Sequence, residues 1–106
     1  MGDEPGVRLR HQKARTSAQR EVRITNKLGL HARPAAQFVK RVRSFRSEIW
    51  LVKQGKRFCA SSLIDVLRAN LDCGATATLD AHGVDAHEAL DDLEKLLAEF
   101  HKKEID

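Results

Sequence analysis

The chain has 106 residues, enough for one small domain with a single core and too few for two ordinary ones. With 42% hydrophobic and 32% charged residues it is no disordered tail; no apolar run nears the roughly 20 residues that cross a bilayer, and the charged N-terminus lacks the apolar stretch of a secretory signal, so a cytoplasmic protein without membrane insertion is expected. The 19 Lys+Arg against 15 Asp+Glu give a net charge of +4, which suits acidic partners or weak nucleic-acid binding without choosing between them.

Residues 1–19 show almost no apolar periodicity and predict a flexible, mildly basic N-terminal extension, with the folded domain over residues 20–106. Strict alternation in Glu21-Val22-Arg23-Ile24-Thr25 predicts a half-buried first strand. After a loop over residues 26–30, Ala32, Ala35, Ala36, Phe38, Val39 and Val42 recur on one side of a helix. Pro34 fits its first turn, where a missing N–H has no intrahelical partner to lose. Ile49-Trp50-Leu51-Val52 marks a second strand, and Gln54-Gly55-Lys56 turns it into a short third strand over residues 57–59. If Ile49 and Leu51 face the helices, Trp50 lies on the open side of the sheet. There the extension is expected to cross it, with an arginine over the ring.

Ser62 is expected to cap a short helix, with Asp65 completing a capping box and Asn70 closing the helix in the left-handed conformation. On so short a helix Leu63, Ile64, Val66 and Leu67 cannot all face inward. Alternation in residues 75–80 predicts a fourth strand, ended by His82-Gly83. Asp85-Ala86-His87-Glu88 then reads as a capping box for a long helix with Ala89, Leu90, Leu93, Leu96, Leu97 and Phe100 on one stripe. The order β-α-β-β-α-β-α is an α+β fold with helices on one face of an antiparallel sheet. Cys59 and Cys73 form no C-x-x-C pair and have no histidines at ligand spacing, so neither a disulfide, a metal nor a cofactor is expected.

Chemistry concentrates in Gly29-Leu30-His31-Ala32-Arg33-Pro34, where Gly29 permits a positive φ and is expected to leave space for a partner's active site to approach. Unpaired amides and the dipole at a helix start attract an anion, so a phosphoryl group on His31 would meet the backbone N–H groups of Ala32 and Arg33. The Arg33 side chain adds a charge-assisted contact. Imidazole is a nucleophile when unprotonated and titrates at about pH 6.5 in general, so it can take up and release such a group near neutrality. The plainer alternatives are a helix-capping surface histidine and a solvated arginine; the ordered run of glycine, histidine, arginine and proline favours the chemical reading. His11, His82, His87 and His101 have no such setting and read as structural or solvated.

Residues 26–39, N-K-L-G-L-H-A-R-P-A-A-Q-F-V, resemble the active-site segment of the HPr family, phosphocarriers of the phosphoenolpyruvate:sugar phosphotransferase system. The likeness runs over residues 21–100 and leaves the extension unexplained. It implies an HPr-like open-faced β-sandwich, a four-stranded antiparallel sheet with three helices on one face. It also implies that His31 is phosphorylated through Nδ1 and that Arg33 steadies the phosphoryl group. Enzyme I would be the donor and EIIA domains the acceptors of a monomeric carrier that is not itself an enzyme. Ser62 matches the serine modified by HPr kinase/phosphorylase, and Leu63 and Ile64 match an apolar pair that docks partners. A phosphate on Ser62 would be favoured by the helix dipole and repelled by Asp65. Family members often carry lysine or glycine nearby, where this chain has Ser61 and Asp65.

Two other readings keep the fold: a paralogue in a nitrogen-related phosphorelay and a purely regulatory one. A third is a small nucleic-acid-binding module, suggested by the charge and by Lys40, Arg41, Arg43 and Arg46. That cluster is more often the wet face of a helix, and four Phe, one Trp and no Tyr supply a stacking platform poorly. An independent enzyme has least support, because no second acid or base and no Gly-rich nucleotide loop accompanies His31.

Overall fold

A computed structural model describes residues 16–103. Along them run β1 (Ser17–Arg23), α1 (Ala32–Arg43), β2 (Glu48–Lys53), β3 (Lys56–Cys59), α2 (Leu63–Arg68), β4 (Thr76–His82) and α3 (Ala86–Lys103). The element order is the expected one. The strands form one antiparallel sheet in the order β1-β4-β2-β3. Val22, Ile49, Leu51, Ala77, Leu79 and Ala81 of its inner face are buried in one core with Phe38, Val39 and Val42 of α1, Val66 of α2 and Leu90, Leu93 and Leu97 of α3.

β1 pairs with β4 from Ser17↔His82 to Arg23↔Thr76, so the strand begins ahead of the boundary expected at Arg20. The inward row explains the difference. Ala18 packs against the core, whereas Arg20 sends its guanidinium to Asp91 at 2.9 Å and Glu94 at 2.7 Å on α3. A long cationic side chain here fills an inward position with its apolar stem, which alternation of apolar residues does not reveal. Residues 1–15, the rest of the expected extension, lie outside the described residues.

The β2–β3 hairpin turns on Gln54 (φ 50°) and Gly55 (φ 80°), the two positive φ values of a type I′ turn, and Lys56 already pairs with Lys53. Trp50 faces the open side as expected. Arg57 of β3 lies over its ring, 4.8 Å from the centroid; the arginines of the extension expected there lie outside the described residues. Beside it Asp80 is nearly buried on the outer face, accepting from Arg57 Nη1 and His82 Nε2 at 3.1 Å and from Gln19 Nε2 at 3.4 Å. Burial pushes the Asp80 carboxyl up, but the bonds from His82, Arg57 and Gln19 outweigh it and hold the group below the usual carboxylate range. His82 Nδ1 also meets Ser17 Oγ at 2.9 Å, so this histidine is structural.

At the start of α3 the Asp85 carboxylate turns away from the expected capping box. It accepts from the amides of Arg46 and Ser47 at 2.9 Å each and from Ser47 Oγ at 2.6 Å. Burial raises its pKa, yet the Ser47 hydroxyl and the two amides hold it below the ordinary range. Gly83 (φ 152°) allows this junction to close, since a Cβ there would lie 2.7 Å from Ser47 Cα.

Candidate functional site

The loop before α1 is built on Asn26. Its side chain is buried, Nδ2 donates to the Gly29 carbonyl at 2.8 Å, and the Gly29 N–H returns to the Asn26 carbonyl at 3.1 Å. Leu30 is buried too, and its N–H donates to the Leu71 carbonyl at 2.9 Å. Gly29 has the expected positive φ, 70°. A Cβ there would collide with the Leu71 carbonyl oxygen and lie 2.8 Å from Asp72 Cα. The room that the glycine leaves, expected for a partner's approach, is therefore taken by the chain's own Leu71-Asp72 backbone.

This anchoring delivers His31 to the N-cap of α1 in an extended conformation (φ −128°, ψ 168°), exposed and with no side-chain capping bond. A purely capping role is thus not realised. Ala32 follows at φ 42°, a left-handed conformation that costs a residue with a Cβ about 1–2 kcal/mol. The opening amides of Ala32 and Arg33 have no intrahelical acceptor, and the first turn holds no acidic residue. Positive potential at this helix start is therefore uncompensated, the condition for holding an anion. Arg33 is exposed in the same turn.

Ser62 caps α2, its Oγ accepting from the Asp65 N–H at 3.3 Å. The Asp65 carboxylate reaches back past Ser62 to the Cys59 N–H at 3.0 Å, a variation on the expected box. Asn70 adopts φ 51° after the helix, as its sequence position suggests. Val66 is buried, while Leu63 (38%), Ile64 (69%) and Leu67 (39%) stay exposed. Leu28, on the loop leading to His31, is 68% exposed as well. Sequence reading missed Leu28; its only signal is an apolar residue without periodic partners.

Leu63 faces Ala36, Val39, Lys40 and Arg43 of α1, and the Leu71 carbonyl just beyond α2 holds Leu30. These apolar side chains consequently flank α1 and the His31 loop. Arg41 is paired with Asp92 at 2.7 Å and Arg43 Nε donates to the Ser61 carbonyl at 2.9 Å, leaving Lys40 exposed between them. His101 Nδ1 lies 3.1 Å from the Thr25 carbonyl, tying the end of α3 to the same loop. Cys59 and Cys73 are free thiols. Among the described residues no group of His, Cys, Asp or Glu is arranged to hold a metal ion, and no helix is long and apolar enough to cross a membrane.

Residues 18–99 match the family model described as the PTS HPr component phosphorylation site. The chain belongs to the HPr family. The phosphocarrier protein HPr of Buchnera aphidicola subsp. Acyrthosiphon pisum is 42% identical over 82 residues, 77% of this chain and 96% of that protein. An HPr crystal structure from Thermoanaerobacter tengcongensis superposes with a TM-score of 0.79 at 35% identity, covering 83% of this chain and 99% of that one. A second, described as an HPr dimer from the same organism, gives 0.63 at 38% identity, covering 74% and 90%. HPr proteins are phosphocarriers of the phosphotransferase system, and the open four-stranded sheet with three helices is their fold.

Proposed function

We propose that His31 accepts a phosphoryl group from phospho-Enzyme I and passes it to an EIIA domain. The Nδ1 lone pair attacks phosphorus; a P–N bond forms as the bond to the donor breaks, its electron pair leaving with the donor. The reverse exchange delivers the group to the acceptor. The amides of Ala32 and Arg33 and the Arg33 guanidinium stabilise the charge on the phosphoryl oxygens. The observation that carries this reading is an exposed imidazole at a helix start whose amides are unpaired and whose first turn is free of acid.

The protein is read as a cytoplasmic monomeric carrier that performs no turnover of its own, the catalytic groups being its partners'. Leu63 and Ile64, with Leu28 and Leu67 beside them, form the proposed docking patch, and Lys40 and Arg33 would favour acidic partner surfaces. Ser62 is the proposed acceptor for HPr kinase/phosphorylase, supported by its place at the edge of that patch. A phosphate there must displace the Asp65 N–H contact and lie near the Asp65 carboxylate.

Incubation with phosphoenolpyruvate and Enzyme I tests the central claim. The wild type is expected to gain one acid-labile phosphoryl group and His31→Ala none; equal labelling of both overturns the assignment.

A further inference from the structure

Where α1 begins and α3 ends, Asn26, Arg33, Pro34, Gln37, Phe100 and Lys103 line an open cleft of about 280 Å³. Its position is set by the fold. The first turn of α1 supplies Arg33 and Pro34, the next turn Gln37, and the last turns of α3 supply Phe100 and Lys103. Pro34 and Phe100 offer apolar surface, Asn26 and Gln37 carry amides, and the two charged residues are both cations.

Other cations near α3 meet its carboxylates. Arg20 meets Asp91 and Glu94, and Arg41 meets Asp92, each within 2.9 Å. Among the described residues no carboxylate lines the cleft, and neither the Arg33 nor the Lys103 side chain has an ion pair or hydrogen bond there. Lys103 is partly offset by the negative end of α3, but Arg33 lies at the positive end of α1, where nothing acidic follows in the first turn. Two cations beside Pro34 and the edge of the largely buried Phe100 suit an anion that carries an apolar group. The volume lies just below the lower end, about 300 Å³, of ordinary small-molecule sites.

We infer that this cleft binds a small organic anion, a carboxylate or phosphate monoester on a planar apolar group. The anionic group lies between Arg33 and Lys103, the planar part rests against Pro34 and Phe100, and the Gln37 amide donates to an anion oxygen. Binding stands independently of the carrier function. Its consequence rests on that function: an occupant engages Arg33 and so slows phosphoryl transfer at His31.

The test follows amide resonances of the full chain as phenyl phosphate is added, with benzoate and inorganic phosphate as separate arms. Phenyl phosphate and benzoate are expected to shift the Gln37 and Asn26 side-chain amides with a Kd of about 1 mM, weakened by salt. Lys103→Ala weakens both by about tenfold, while inorganic phosphate binds at least tenfold more weakly than phenyl phosphate. No saturable shift up to about 10 mM overturns the site. Equal shifts with inorganic phosphate overturn the organic class, leaving a simple anion site. In the second readout, phenyl phosphate slows labelling of the wild type by phospho-Enzyme I, and about tenfold more is needed to slow Lys103→Ala, whose basal labelling is unchanged. Binding with an unchanged labelling rate overturns the coupling, whereas absence of labelling without any ligand refutes the carrier reading and leaves the binding result standing.

Discussion

The starts of α1 and α3 face the same physical problem, a row of helix amides without acceptors, and differ in the charge set beside it. At α3 a carboxylate is present, Glu88 lies in the first turn, and Asp85 binds the Arg46-Ser47 turn across a junction closed by Gly83. At α1 the N-cap is a histidine that makes no capping bond, the next residue is left-handed, and the nearby side-chain charge is positive. One end carries a negative charge of the chain's own, Glu88 in its first turn. The other carries none, and the phosphoryl group proposed for His31 would supply it.

Variants at the two ends sharpen this contrast. The largest effect is expected from His31→Ala, which removes phosphoryl acceptance altogether while changing stability by less than about 0.5 kcal/mol in urea titration, because the exposed ring holds nothing in place. Gly29→Ala comes next. Positive φ and the clash with Leu71 and Asp72 are expected to cost about 2–4 kcal/mol, with labelling slowed in the fraction that remains folded, since the loop delivers His31.

At the start of α3, Asp85→Asn is expected to cost about 1–2 kcal/mol of unfolding free energy through its bonds to Arg46 and Ser47 and to leave labelling by phospho-Enzyme I within twofold. The carboxyls of Asp85 and Asp80 titrate below their ordinary range in the folded protein. Their contribution is therefore fully present above the unfolded value of about 3.9 and disappears as pH falls through the lower folded values. Urea titrations between neutral pH and pH ~3 should show stability dropping at the acid end, with a shallower drop in Asp85→Asn. The smallest effect belongs to Ala32→Gly, which relieves the left-handed Cβ and, after the entropic cost of glycine, is expected to raise stability by up to about 1 kcal/mol in the same titration.

The same contrast separates what the sequence made legible from what it did not. Features written in consecutive residues were readable: the helix stripe of Ala35, Phe38, Val39 and Val42, the Gln54-Gly55 turn, the positive φ of Gly29 and Asn70, and the cap at Ser62. Features that depend on residues distant in the chain were not. Asp85 looked like a local cap, but its acceptors serve Arg46 and Ser47, brought to it by the fold. Gly29 looked open to a partner until Leu71 and Asp72 were placed against it. Arg20 gives no sign in the sequence that its partners lie on α3, so alternation alone does not reveal that the first strand begins at Ser17. At the site, Asn26 stood in the recognised motif, but only the bond to Gly29 shows it as the residue that shapes the loop.

Trp50 is the chain's single tryptophan, and it lies on the sheet face turned away from the helices, under Arg57. Its emission is accordingly an internal gauge of sheet integrity, separated by the core from events at His31. A kinetic trace that leaves this signal flat during phosphoryl exchange, yet moves it on unfolding, lets folding and function be timed in one cuvette without an added label.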